Sequence, residues 1–177
     1  MPDVIAAAKA GRMGEAEEIA AAVLYLDAAE RILQDSARAL EEDPIPRAGV
    51  LIEHALLSAA WADNAFTAPA RSDAYTTMRA YADSAFRVLR GTTGSNATGR
   101  SALALTYRAR AETQLGDLDA ARRSLALARP LIPEGRSVYP DLNHNWWRNQ
   151  ARLDMKAEDW DRALTSSLRT EDEARRL

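Results

Sequence analysis

The segment LALTYRARAETQLGDLDAARRSLALARPLIP, residues 103–133, contains the most informative pattern of the chain. Gly116 lies between two helical runs, where glycine permits the positive φ that follows the end of a helix. Ala121 is a small residue in the second run, and alanine lets the backbones of two helices approach closely. Pro133 cannot continue the second helix. The segment therefore predicts two antiparallel helices joined by a tight turn.

Helical patterns extend along the rest of the 177-residue chain, and clusters of glycine and proline separate them. One apolar stripe runs through residues 15–41, which predicts a single long helix. Segments 43–49, 67–72 and 91–99 are among the predicted linkers. Strict apolar alternation persists nowhere for more than a few positions, so no strand is predicted. The predicted helices are 3–10, 15–41, 48–65, 73–90, 101–115, 118–130, 142–157 and 159–175.

Residues 103–133 resemble a tetratricopeptide (TPR) repeat. Gly116 matches the turn position of that family, Leu118 the large residue that enters the second helix, and Ala121 the small residue at the helix crossing. The run NWWRNQARLDMKAEDWDRALTSSLRT, residues 145–170, fits the same register, and VIAAAKAGRMGEAEEIAAAV is a third, truncated match. In the second unit the matching residues are Trp147 as first-helix anchor, Ala151 at the close approach, Trp160 after the turn and Ala163 at the crossing, whereas Glu158 replaces the turn glycine.

The resemblance implies an all-α fold, a right-handed array of about four antiparallel helical hairpins. We expect these hairpins to form a single domain over residues 1–177. The hairpins are 3–41, 48–90, 101–133 and 142–175.

The run LNHNWWRNQARLDMK, residues 142–156, places two tryptophans beside a polar stripe. Trp147 is expected to be the buried anchor of its helix. Trp146 points about 100° further around the helix and is expected to pack in a neighbouring groove or to be partly exposed. In TPR-like proteins the polar side of such a first helix lines a concave binding surface. The predicted peptide-binding residues are Arg110, Asn145, Arg148, Asn149, Arg152 and Lys156.

A guanidinium group matches the geometry of a carboxylate, and an asparagine amide can bond to a peptide backbone. The predicted partner is therefore a protein or peptide segment, rich in carboxylates or ending in one, with no cofactor involved. This hypothesis requires that no carboxylate of the protein neutralises the basic residues, and Glu112 and Asp154 are the nearest acidic residues in sequence. The simpler interpretation is a solvated helix face that carries its own ion pairs.

Composition and charge restrict the class of protein. The net charge of −3 provides no overall attraction to nucleic acid, although residues 91–177 are mildly basic, with 14 basic and 12 acidic groups. The absence of cysteine excludes disulfides and thiolate chemistry. The short apolar run at the N-terminus contains Lys9, and no 18-residue apolar stretch follows it. We expect a soluble, cytoplasmic, bacterial scaffold protein without catalytic activity, bound neither to membranes nor to nucleic acid.

Alternative functions rest on shorter patterns. GSNATGRS, residues 94–101, differs from a phosphate-binding loop by one substitution, but it follows a predicted helix instead of a strand, so a loop that caps the next helix through Thr98 or Ser101 is expected. The spacing of Arg47 and His54 resembles the signature of HEPN ribonucleases, although His54 also shares a face with Trp61. The ligand-sensing half of a bacterial regulator is a further alternative. No second histidine accompanies His144 at metal-ligand spacing.

Overall fold

The computed structural model describes residues 43–132, 139 and 141–176, and these residues form six α-helices and no strand. None of these described helices is long and apolar enough to cross a membrane. A 3₁₀ turn, Arg129–Leu131, follows the fourth helix. The helices are α1 (Pro44–Asn64), α2 (Ala68–Val88), α3 (Ser95–Leu115), α4 (Leu118–Ala128), α5 (Leu142–Lys156) and α6 (Trp160–Ala174).

The six helices pack as three sequence-adjacent hairpins, α1 with α2, α3 with α4, and α5 with α6. This arrangement confirms the predicted all-α array of helical hairpins for the compact unit that begins at Pro44. The predicted hairpin 3–41 and Pro133 lie outside the described residues, so the single domain over residues 1–177 stays a prediction.

The first helix of each hairpin also packs against the first helix of the next one. Contacts join α1 to α3 and α3 to α5, while α2 packs on α3 and α4 on α5. We call α1, α3 and α5 the first-helix row. Side chains on these helices are therefore brought together although they lie far apart in sequence.

The second and third hairpins are equivalent at a spacing of 42 residues, as the sequence register predicts. Gly116 and Glu158 end the first helices of these hairpins and both have positive φ, 87° and 60°. The side chains of Asp117 and Asp159 then begin the second helices, and each accepts a hydrogen bond from the backbone N–H three residues later. The two turns are thus built in the same way, although only one of them contains glycine.

A buried carboxylate joins the two helices in each of these hairpins. The hydroxyl of Ser124 donates a hydrogen bond of 2.6 Å to Glu112, and that of Ser166 donates one of 2.9 Å to Asp154. Both carboxylates occupy equivalent positions in the 42-residue register and are buried. Glu112 and Asp154 therefore bond to the second helices of their own hairpins.

Small and aliphatic side chains fill the core. Ala121 is fully buried at the crossing of α3 and α4, as predicted, and Ala163 is buried at the equivalent crossing. The largest fully buried side chains are Met78, Leu105, Leu125, Leu142 and Leu153.

The prediction that Trp147 is the buried anchor of its helix is wrong, whereas Trp146 packs against the neighbouring hairpin, one of the two outcomes predicted for it. Trp146 is the buried ring, only 8% exposed, and its Nε1 donates a hydrogen bond of 3.0 Å to the carbonyl oxygen of Leu125. Trp147 is partly buried and meets Trp146 edge-on, with 4.7 Å between ring centroids. Trp146 lies on the same helical face as Leu142 and Leu153, and this face packs against the preceding hairpin. The position of that neighbour decides which ring is buried.

Three helices begin earlier than the sequence predicts. The predicted starts at 48, 73 and 101 are replaced by Pro44, Ala68 and Ser95. Proline fits the first turn of a helix because its missing N–H has no intrahelical partner there. Thr67 caps α2, since its hydroxyl accepts a hydrogen bond of 3.3 Å from the backbone N–H of Ala70.

The predicted flexible loop at residues 94–101 is instead the start of α3. Gly99 lies under the ring of Tyr139, and a Cβ atom at this position would lie 2.6 Å from Cδ2 of that ring. A Cβ atom on Gly49 of α1 would likewise collide with Nη1 of Arg100. Glycine is tolerated inside these helices because neighbouring side chains pack directly on the backbone.

Candidate functional site

Arg110, on α3, forms an ion pair with Asp63 near the end of α1. Nη2 of Arg110 lies 2.5 Å from Oδ2 of Asp63. The hydroxyl of Tyr75, on α2, donates a hydrogen bond of 2.8 Å to the other carboxylate oxygen. The side chain of Arg110 is 12% exposed and that of Asp63 is 51% exposed, so the carboxylate forms the solvent-facing end of the pair. Three helices therefore meet at Asp63.

This ion pair corrects the expectation that the predicted basic residues have no carboxylate partner within the protein. Asp63 is 47 residues away from Arg110 along the chain. Burial raises the pKa of Asp63, but the hydrogen bonds from Arg110 and Tyr75 and the charges of Arg110 and Arg152 outweigh burial, so the pKa lies below its usual value. Asp63 is therefore ionised at neutral pH and neutralises Arg110.

Arg148 and Arg152, on α5, lie in the same region of the first-helix row. Burial, followed by the positive charges of Arg110 and Arg148, holds the pKa of Arg152 below its usual range, and Asp63 and Tyr75 oppose this only in part. In the part of the chain that the structure describes, no carboxylate lies within ion-pair distance of Arg148 or Arg152. We call Arg110, Arg148 and Arg152 the arginine cluster.

The other predicted binding residues are divided between core and solvent. Asn149 is buried, 4% exposed, and donates a hydrogen bond of 2.8 Å to the carbonyl oxygen of Asn145. The prediction that Asn149 lies on a solvated stripe is therefore wrong. Asn149 lies at the edge of that stripe, closest to the buried Trp146. Asn145 is partly exposed and donates a hydrogen bond of 3.0 Å to Asp141. Lys156 is exposed at the end of α5.

Two tyrosines that the sequence analysis did not single out, Tyr75 and Tyr107, lie near Arg110, whose charge acts on both. Burial, followed by the negative charges of Asp141 and Glu53, raises the pKa of Tyr107 to about 12. Burial and the bond to Asp63 also raise the pKa of Tyr75. Both phenols are therefore protonated at neutral pH, and Tyr75 uses its O–H group in the bond to Asp63. No periodicity distinguishes them from core aromatic residues, so the sequence contains no signal for this role.

A second group of arginines lines a groove of about 560 Å³ beside α4, α5 and α6. Arg122 and Arg162 each form an ion pair with an aspartate three residues earlier, at 2.8 and 3.7 Å. Arg129 lies over the ring of Trp146, 5.1 Å from its centroid. Local partners therefore already contact each of these arginines, in contrast to Arg148 and Arg152.

Arg47 and His54, the residues of the nuclease alternative, both lie on α1. Arg47 is exposed in the first turn, whereas His54 is partly buried and its ring stacks on that of Tyr81, 4.8 Å between centroids. Trp61, expected on the same face as His54, is 49% exposed. His144 lies with Nδ1 at 3.1 Å from the carbonyl oxygen of Thr170, which connects α5 to α6.

In comparisons with protein-family models, with curated proteins and with solved structures, nothing matches this chain.

Proposed function

We propose that this chain is a non-catalytic binding module, a right-handed array of TPR-like hairpins whose first-helix row binds a protein or peptide segment that carries carboxylates. The observation behind this proposal is that Arg148 and Arg152 have no carboxylate partner among the described residues, although Arg152 is half-buried and the charges of Arg110 and Arg148 act on it. Such an arrangement costs folding free energy, and a bound anion offsets that cost.

The chemistry of guanidinium groups favours a carboxylate as the bound group. Arg148 and Arg152 lie on successive turns of α5, and the planar fork of N–H donors in a guanidinium group matches the two oxygens of a carboxylate. Each charge-assisted hydrogen bond contributes roughly 1.5–3 kcal/mol where water is excluded. In this proposal Arg148 and Arg152 hold the carboxylate, and the exposed Lys156 extends the positive surface.

The asparagines have different roles in this proposal. Asn145 is partly exposed and supplies its amide to the backbone of the bound segment. Asn149 is buried and supports α5 through its bond to Asn145. Arg110 remains paired with Asp63 and contributes through its charge.

The proposal is tested with two acetylated peptides of the same uncharged sequence, one with a free C-terminal carboxylate and one with a C-terminal amide. Isothermal titration calorimetry should detect tighter binding of the free acid. Replacement of Arg148 and Arg152 by alanine should weaken binding of the acid by about tenfold or more, as expected when charge-assisted hydrogen bonds are lost.

The matched control replaces Arg123 and Arg169 by alanine, because these exposed arginines lie on α4 and α6 and the change in net charge is the same. The control should bind as the wild type does. Equal binding of the acid and the amide, or equal losses in the two double variants, would contradict the proposal.

A further inference from the structure

Asp63 places a negative charge inside a surface proposed to bind negative charge. One carboxylate oxygen accepts from Arg110 and the other from Tyr75. Half of the Asp63 side chain is exposed, whereas Arg110 is mostly buried behind it. A ligand that approaches the arginine cluster therefore meets the carboxylate of Asp63 before it meets Arg110.

The arginine cluster has more positive charges than Asp63 can neutralise. Arg110 is neutralised by Asp63, which leaves Arg148 and Arg152 without a counter-charge in the described part of the chain. The charge of Asp63 acts on Arg152 as well as on Arg110. Two available guanidinium groups suit one ligand carboxylate, and each further negative charge on the ligand is repelled by Asp63.

We propose that Asp63 is a specificity-determining residue, which limits the ligand to a segment with a single, isolated carboxylate and disfavours segments with several adjacent negative charges. This inference rests on the proposed binding function. Asp63 contacts Arg110 directly and its charge also acts on Arg152, so a ligand carboxylate held there lies within the screening length of physiological salt, about 8 Å, and is repelled. Specificity here arises from an unfavourable interaction as well as from favourable ones.

The test measures the affinity of two acetylated peptides of equal length by isothermal titration calorimetry. The first has only its terminal carboxylate, and the second has two glutamates before it. The wild type should prefer the first peptide. Asp63→Asn should tighten binding of the second peptide by about fivefold or more and reverse or remove this preference, because a repulsive charge is lost.

Two variants separate the charge of Asp63 from its structural contacts. Asp119→Asn removes an aspartate from an exposed ion pair on α4 and should leave the preference unchanged. Tyr75→Phe removes the hydrogen bond to Asp63 and keeps the charge, so it should also leave the preference unchanged. A change of preference in Tyr75→Phe as large as that in Asp63→Asn would overturn the inference, because the effect would then be structural.

The outcomes also distinguish this inference from the proposed function. If Asp63→Asn leaves the preference unchanged while the Arg148 and Arg152 double variant loses both peptides, the role of Asp63 is refuted and the binding function stands. If the double variant binds both peptides like the wild type, the binding function itself is refuted.

Discussion

Gly116 and Glu158 occupy the same turn in two successive hairpins, and only one of them has the residue type that this turn favours. Both have positive φ. A side chain with a Cβ atom is strained in this region, whereas glycine is not. Glu158 is exposed and retains the conformation because Asp159 N–H bonds back to the carbonyl oxygen of Asp154 at 3.0 Å. The hairpin contacts therefore impose a backbone conformation that the residue itself disfavours.

We expect Glu158→Gly to increase the free energy of unfolding by about 0.5–1 kcal/mol, because the strained φ is relieved. Gly116→Ala should decrease it by about 1 kcal/mol for the opposite reason. Urea denaturation of both variants measures these changes. A decrease in Glu158→Gly would contradict the equivalence of the two turns.

At the scale of the helix, residues that commonly interrupt helices lie here in the first turn or inside a helix. Pro44 and Pro69 lie in the first turns of α1 and α2, and Gly99 lies inside α3. In the first turn a proline removes no hydrogen bond, so its effect depends on position along the helix. In α3 the ring of Tyr139 packs on Gly99 and leaves no room for a Cβ atom there. Local patterns thus predict the existence of these helices more reliably than their ends.

The crossing of α3 and α4 depends on the small size of Ala121. This residue is fully buried, so Ala121→Leu should overpack the hairpin and reduce the free energy of unfolding by roughly 1–3 kcal/mol. The control is Ala126→Leu, which introduces the same side chain at an exposed position of α4. Thermal unfolding followed by circular dichroism measures both variants. Equal melting temperatures for Ala121→Leu and the wild type would count against the crossing.

At the scale of the whole molecule, the first-helix row assembles side chains from separate hairpins into one charged surface. Asp63, Arg110 and Arg152 come from α1, α3 and α5. Like charges gathered on a half-buried surface reduce stability, because burial weakens the screening of their repulsion by water. Burial, followed by the charges of Arg110 and Arg148, lowers the pKa of Arg152, so its charged form is less favourable in the folded protein than in the unfolded chain.

We therefore expect Arg152→Met to stabilise the free protein while it weakens binding of the carboxylate peptide. A gain of about 0.5–1 kcal/mol would raise the melting temperature by about 1–4 °C in a chain of this size. Arg169→Met serves as the control, since that arginine is exposed on α6, and it should change neither quantity. A lower melting temperature for Arg152→Met would instead identify Arg152 as a residue that supports the fold.

The sequence alone determined the all-α class, the register that residues 145–170 share with residues 103–133, and the burial of Ala121 and Ala163. These features depend on local physics, namely helical periodicity, turn geometry and the size of a side chain at a crossing. They also repeat at a spacing of 42 residues, so one clear hairpin identifies the next.

Only the tertiary structure decided that Trp146 is buried more deeply than Trp147, that Asn149 faces the core, and that Asp63 pairs with Arg110. Each of these outcomes depends on which neighbouring helix covers a given face, and Asp63 and Arg110 are separated by 47 residues. A polar stripe on one helix can be recognised in the sequence, because its period is local. Whether a residue of opposite charge on another helix contacts that stripe is decided only when the hairpins pack together, because this contact is non-local.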